Sequence, residues 1–172
     1  MRKLYVFDFD DTLARTSNIV NVRKSDGRVL TLTSEEYPSY VKEEGDVFDF
    51  ADFRKARNAE KIEETVAILL NVVEKHGLDA AVILTARTTD APVRHFLEQH
   101  NLPAVQVMPV GREGSHSHPD DKANWILFVI EKCGITEVEF YDDHNGNVLA
   151  VSKIKHPKAK VKTHLIKTKS PT

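Results

Sequence analysis

The chain has 172 residues, 41 % of them hydrophobic, and a formal net charge of −2. That length suits one globular domain with room for a modest insertion, and the near-neutral balance gives no global pull toward nucleic acid or a membrane surface. The single cysteine, Cys133, excludes an intrachain disulfide.

Residues 4–7 are short, aromatic and β-branched and run into Asp8, which predicts a buried strand. About forty residues then pass before the next long helical pattern, far beyond a median loop of about 4–6. Inside them, 19–23 and 28–33 flank Ser25-Asp26-Gly27, a hairpin signal. Ser34 is expected to cap a short helix through Glu35 and Glu36, limited by Pro38. The acidic and aromatic stretch 46–53 follows. Residues 15–56 are therefore read as a small cap, a hairpin plus a short helix, placed beside the end of the first strand. The plainer alternative is a surface excursion that only adds stability.

Ile62, Val66, Leu69 and Val73 recur at helical spacing, with Gly77 as C-cap. A second strand over 80–84 ends at Thr85. Asp90 as N-cap and Pro92 in the first turn open a helix carrying Val93, Phe96 and Leu97. A third strand, 105–110, precedes Gly111. Trp125, Phe128, Val129 and Lys132 mark a helix ended by Gly134, with Cys133 expected in its core face and in a reducing compartment. A fourth strand, 138–141, ends at Asp142. Val148, Val151 and Ile154 mark a last helix stopping before Pro157, and 161–166 form the last strand.

Strands alternating with helices predict parallel pairing through right-handed crossovers. The expected fold is α/β: one domain, 1–172, with a doubly wound, Rossmann-like, mostly parallel sheet of about five strands. Ligands of such sheets bind beyond the carboxyl ends of the strands, which directs attention to Asp8, Thr85 and Asp142.

Residues two apart in an extended chain face the same way, so Asp8 and Asp10 are expected to converge around Phe9. Paired carboxylates repel, so one tends to keep a proton, giving one anionic nucleophile and one proton donor. Alone, Asp-x-Asp is equally a loop or a casual metal site. Asp142-Asp143 also ends a buried-looking strand, where charge is costly unless paired, solvated or metal-bound. Magnesium takes oxygen ligands, and Asp8, the backbone carbonyl of Asp10, and Asp142 can form such a set. The alternative for Asp142 and Asp143 is a strand-end turn with a helix N-cap, a role open to Asp143 in addition to any metal role. Thr85, with the backbone N–H groups of Ala86 and Arg87, can hold phosphate oxygens; otherwise Thr85 is an ordinary turn residue. Lys122 falls in a first helical turn, where it opposes the macrodipole. That favours a phosphate ligand over a solvated surface lysine.

Together these residues resemble the haloacid dehalogenase-like (HAD) superfamily of phosphohydrolases. Asp8-Phe9-Asp10-Asp11-Thr12 looks like its first motif, Thr85 its second, Lys122 its third and Asp142-Asp143 its fourth. The resemblance spans about residues 3–166 and is specific as a set in order. Some similar small phage and bacterial members resemble the phosphatase half of polynucleotide kinase-phosphatase. Two departures stand out: Asp11 occupies a position that is often Gly, and the fourth motif has adjacent acids. The resemblance implies a magnesium-dependent phosphomonoester hydrolase working through an aspartyl-phosphate on Asp8, with Asp10 as acid and base. It also implies Asp142 as direct metal ligand, and Asp143 holding a metal-bound water or Lys122. Its substrate is expected to be a phosphorylated small molecule or a nucleic-acid end. Sugar-phosphate hydrolysis, phosphotransfer and an idle binding module are the competing readings.

His116-x-His118 invites a zinc site but reads better as a polar loop before the Lys122 helix. The lysine-rich stretch 153–169 is a solvated helix, strand and tail, or a basic track for phosphates; it lacks interleaved aromatics. Arg87 and Arg112 can add charge near the site. No apolar run approaches the ~18 residues of a membrane span. Met1-Arg2-Lys3 leads too quickly to Asp8 for a signal peptide. A cytoplasmic protein is expected, with no membrane association and no sign of an obligate protein partner.

Overall fold

The computed structural model describes residues 2–33, 36–112 and 118–167, with Pro38 described by its backbone alone. Ser34 and Glu35 of the expected short helix, His116 of the histidine pair, and Lys169 at the end of the basic stretch lie outside the described residues.

The first strand, β1, covers Lys3–Phe7. Its side chains alternate between two cores. Leu4 and Val6 join one apolar cluster, while Phe7 joins the other. After a tight turn, β2 (Ala14–Arg15) leads into β3 (Ile19–Arg23) and β4 (Val29–Thr33), a hairpin with Gly27 at φ 89°. A 3₁₀ turn at Tyr37–Ser39, a strand β5 (Val47–Asp49) and a second 3₁₀ turn at Ala51–Arg54 follow. β6 (Glu60–Lys61) then pairs antiparallel with β2, Ala14 opposite Lys61. This two-stranded stalk opens and closes the insertion. β5 lies antiparallel along β3, giving the three-stranded order β4-β3-β5. The acidic and aromatic stretch thus supplies a strand that its short, charge-interrupted pattern did not announce.

The remaining elements alternate. They are α1 (Glu63–His76), β7 (Ala81–Thr85), α2 (Ala91–Gln99), β8 (Gln106–Pro109), α3 (Pro119–Cys133), β9 (Glu137–Asp142), α4 (Asn145–Ser152) and β10 (Lys160–Leu165). Five strands form one sheet in the order β10-β9-β1-β7-β8, and every neighbouring pair is parallel. Side chains of α1 and α2, including Leu69, Val93 and Phe96, cover one face; Ile126 and Ile130 of α3 and Val151 of α4 cover the other. This is the expected doubly wound α/β sheet. The chain steps outward from β1 to β7 and β8, then crosses back to β9 on the other side, so the switch point lies at the end of β1.

Three local expectations give way. Cys133 is exposed rather than in the core, because it sits in the final turn of α3, where residues 131–134 all face solvent. Asp90 makes no side-chain cap of α2; its carboxylate pairs with Arg94 one turn on. Helix α4 ends at Ser152, short of Ile154, and its N-cap is His144 rather than Asp143. Among the described residues, no helix is long and apolar enough to cross a membrane.

Candidate active site

Register places the acids. Phe7 of β1 stands opposite Tyr141 of β9, so the next residues along, Asp8 and Asp142, leave adjacent strands side by side. Asp8 N–H continues the pairing, donating to Tyr141 O at 2.8 Å. By strand alternation Asp8 shares the parity of Leu4 and Val6 and faces the α3 side of the sheet. Lys122, in the first turn of α3, meets it there. Its ammonium donates to Asp8 Oδ1 at 2.6 Å and to Asp142 Oδ2 at 2.8 Å. Lys122 is only 2 % exposed, which accounts for a lysine at an otherwise unfavourable helix position.

Burial by itself lowers the Lys122 pKa, but the neighbouring Asp142 and Asp8 carboxylates more than reverse that and raise it. It stays charged. Asp8 is pushed well above the usual carboxylate range, first by burial and then by Asp142, with Lys122 pulling the other way. Asp143 is raised as well, again chiefly by burial. Oxygen atoms of Asp8, Asp142 and Asp143 lie within 4.8 Å of one another. One lysine faces three carboxylates, so the cluster is short of positive charge. An all-oxygen, electron-rich set of this kind suits a hard divalent cation such as magnesium, and these three residues fit such an ion.

The turn after β1 arranges the rest. Leu13 and Ala14 N–H groups fold back onto Phe9 O at 2.9 and 3.1 Å. Asp11 takes φ 60°, a left-handed conformation that Asp tolerates better than most residues. Thr12 hydroxyl bridges Asp8 Oδ2 at 3.1 Å and Asp143 Oδ1 at 3.2 Å. Asn147, in the first turn of α4, donates to Asp142 Oδ2 at 3.1 Å, and His144 N–H donates to Asp142 Oδ1 at 2.8 Å.

Asp10 stands apart from the three-acid cluster. Arg87 grips it with a fork, Nε to Oδ2 at 3.0 Å and Nη2 to Oδ1 at 2.7 Å. Thr85 is fully buried at the end of β7, and its hydroxyl accepts the Arg87 N–H at 3.1 Å. Gly111 lets the next strand end close over this loop. A Cβ there would lie 2.0 Å from Ala86 O, so no other residue fits without moving the backbone.

Most of these groups open onto one cavity of about 660 Å³, but Thr12, Thr85 and Asp142 are buried behind it and do not line it. Asp8, Asp10, Ala86, Arg87, Lys122 and Asp143 form its core-side floor, and Arg112 and His144 flank it. The cap supplies the opposite wall with Phe48, Phe50, Phe53, Arg23 and Arg54. The aromatics do two jobs, since Phe48 is buried in the cap's own cluster and Phe50 and Phe53 pack against it. His118 is not a free ligand: its ring Nδ1 accepts the Asp120 N–H at the start of α3. Sequence reasoning passed over Asn18, a 1 % exposed residue joining the cap to Arg87. A single asparagine in an irregular stretch carries no periodic or motif signal.

No family model matches the chain, and no curated protein matches it. Among solved structures it is similar to a HAD-superfamily hydrolase from Ehrlichia chaffeensis. That likeness has 12 % sequence identity and a TM-score of 0.48, over 89 % of this chain and 85 % of that chain. A likeness this loose leaves the site to be read from its own geometry.

Proposed function

We propose that the protein is a magnesium-dependent phosphomonoester hydrolase in which Asp8 is the covalent nucleophile. The observation that carries this reading is the seat of Asp8. It is a buried carboxylate at the switch point, held by Lys122 and Thr12 beside Asp142 and Asp143. Magnesium held by Asp8, Asp142 and Asp143, with the backbone carbonyl of Asp10, would supply the charge that lets an anionic nucleophile approach an anionic phosphate. Lys122 adds a second positive charge, and the N–H of Ala86 orients a phosphate oxygen; the Arg87 N–H is held by the Thr85 hydroxyl instead.

An Asp8 oxygen attacks phosphorus, and the bond to the leaving oxygen breaks. Asp10 delivers its proton to that oxygen. Water then attacks the aspartyl-phosphate, Asp10 takes the water's proton, and inorganic phosphate departs as Asp8 is freed. One difficult displacement becomes two easier ones.

The substrate reading that fits best is a phosphate on a nucleotide or nucleic-acid end. Arg23 and Arg54 line the cap wall, and their guanidinium groups have no ion pair or hydrogen bond among the described residues. The transferred phosphate does not need them. A leaving group with further phosphates does, and the half-buried Phe50 and Phe53 give a base a face to stack on.

The test is release of inorganic phosphate from nucleotides, sugar phosphates and 3′- or 5′-phosphorylated oligonucleotides, each with magnesium and with EDTA. Magnesium-dependent release, fastest from the nucleotides or oligonucleotides, is expected. Equal rates on sugar phosphates overturn the substrate, and no release from any ester by folded protein overturns the reaction.

A further inference from the structure

Arg87 is only 4 % exposed, yet its guanidinium is saturated. An arginine side chain offers five N–H donors. Two hold Asp10, one reaches Asn18 Oδ1 at 2.8 Å, and the others reach the carbonyls of Phe53 at 2.9 Å and Lys55 at 3.3 Å. Its guanidinium carbon also lies over two rings, 5.5 Å from the centroid of Phe9 of the core and 4.9 Å from that of Phe53 of the cap. Asn18 continues the chain of bonds. Its amide donates to Asp52 O at 2.9 Å and Lys55 O at 2.8 Å, and its Oδ1 also accepts Arg57 N–H at 3.3 Å.

Asp10 therefore meets the cap through this strut and, at the cap's base, through the Thr16 hydroxyl at 3.3 Å. Its Oδ1 accepts from both Arg87 and Thr16, whereas among the described residues Oδ2 accepts from Arg87 alone. Oδ2, with one hydrogen bond fewer, keeps the more lone-pair capacity for a proton. A fork–fork contact fixes the carboxylate plane as well as its position, and a misplacement of about 1 Å in a reacting group can lower a rate ~10²-fold.

We propose that Arg87 and Asn18 are positioning residues, which aim Oδ2 of Asp10 by tying it to the seated cap segment 52–57. In this role Arg87 does not spend its side chain on the substrate phosphate. The cap then selects what enters and also sets the geometry of proton transfer, so a substrate that unseats that segment is handled slowly. The inference rests on the phosphatase reading.

The experiment follows leaving-group release in single turnover with protein in excess, so that hydrolysis of the aspartyl-phosphate, where Asp10 acts as base for either ester, does not enter. Its limiting rate and half-saturating concentration are taken on a nucleoside 3′-monophosphate, whose alkoxide must be protonated, and on p-nitrophenyl phosphate, whose phenolate hardly needs it. Wild type, Arg87→Lys, Asp10→Asn, the double variant and Asn18→Ala are compared with magnesium. Arg87→Lys is expected to lower the limiting rate of release from the nucleotide about 10²-fold and from the aryl ester at least about tenfold less. In the Asp10→Asn background the same change should matter less than about threefold, the signature of two residues acting as one unit. Asn18→Ala should shift the ratio of the two esters the same way, by about fivefold, as a milder misplacement of the same carboxylate.

The ratio is read on a single preparation, so partial loss of folded protein cancels, and Asn18→Ala carries the test if Arg87→Lys does not fold. An equal fall in leaving-group release from both esters, a full effect in the Asp10→Asn background, or a change confined to the half-saturating concentration would overturn the proposal. Wild type that releases phosphate from neither ester refutes the phosphatase reading and this inference with it. Active wild type with an unchanged ratio in both variants refutes the inference alone.

Discussion

The floor of the cavity and its roof are built on different terms. On the floor, Asp8 and Asp142 are placed by sheet register, and Lys122 by the first turn of a helix packed on that sheet. All three are 6 % exposed or less. The roof is a three-stranded antiparallel sheet whose own core, among the described residues, buries four apolar side chains, Val20, Val22, Leu32 and Phe48. Its Val29 and Val47 stand more than half exposed. The acidic cluster sits where the backbone has least freedom, and the cap wall of the cavity sits where few buried contacts resist change. Low-stability regions of this kind are where binding elements are commonly drawn from. Arg87 and Asn18 are the polar strut between the two.

The hardest test of the floor is Asp8→Asn. Turnover is expected to fall at least about 10⁴-fold, as for loss of a covalent nucleophile, with the far-ultraviolet circular dichroism of wild type retained. The sign of the stability change sharpens the point. Burial and then Asp142 raise the Asp8 pKa, so above the ordinary carboxylate range its charge opposes folding in metal-free protein. At pH 7 without metal the variant should melt no lower than wild type, and magnesium should raise its melting temperature less. Substantial residual hydrolysis by pure, folded variant would remove Asp8 as nucleophile.

The same contrast governs what could be read without coordinates. Parallel strands show as apolar runs with a polar residue at one end, and that pattern located Asp8, Thr85 and Asp142 together with the order of the elements. Lys122 stood out because a lysine in a first helical turn is electrostatically awkward. Neither the cap strand β5 nor the Asn18 node had comparable signals. Val47–Asp49 is three residues long, too short for alternation to register, and its pairing with β3 spans a long stretch of chain. The Arg87–Asp10 fork joins residues 77 positions apart. A local pattern contains nothing of such a contact. Cys133 failed for a related reason: periodicity gives a helix face but not where solvent meets the helix end.

For the roof, Arg23→Ala combined with Arg54→Ala should raise KM for a 3′-phosphorylated oligonucleotide by about tenfold, as expected for loss of two phosphate contacts. The dependence of log KM on log salt should flatten by about 1.4, at ~0.7 per single-strand contact. A KM that rises with an unaltered salt slope would mean that these arginines shape the cap rather than meet phosphates. That would return selectivity to the floor.

The smallest effect expected lies inside the cap, where it asks whether the roof is held by its own polar pins. Asp46 is 4 % exposed beneath Lys24 and Tyr40. Its Oδ2 accepts from Tyr40 Oη at 2.6 Å and from Glu43 N–H at 2.9 Å, and Lys24 Nζ lies 2.8 Å from Oδ1. The Lys24 ammonium, and after it the Tyr40 hydroxyl, pull the Asp46 pKa down to about 2. A carboxyl lowered in the folded state stabilises it above the ordinary value of about 3.9 and loses that contribution as pH falls toward the folded value. Asp46→Asn should therefore melt below wild type at pH 5. The gap should narrow from about pH 4 downward and close near pH 2. A gap that stays constant over that range would show that the carboxylate's charge does not pin the cap, leaving its four buried apolar residues to hold the roof.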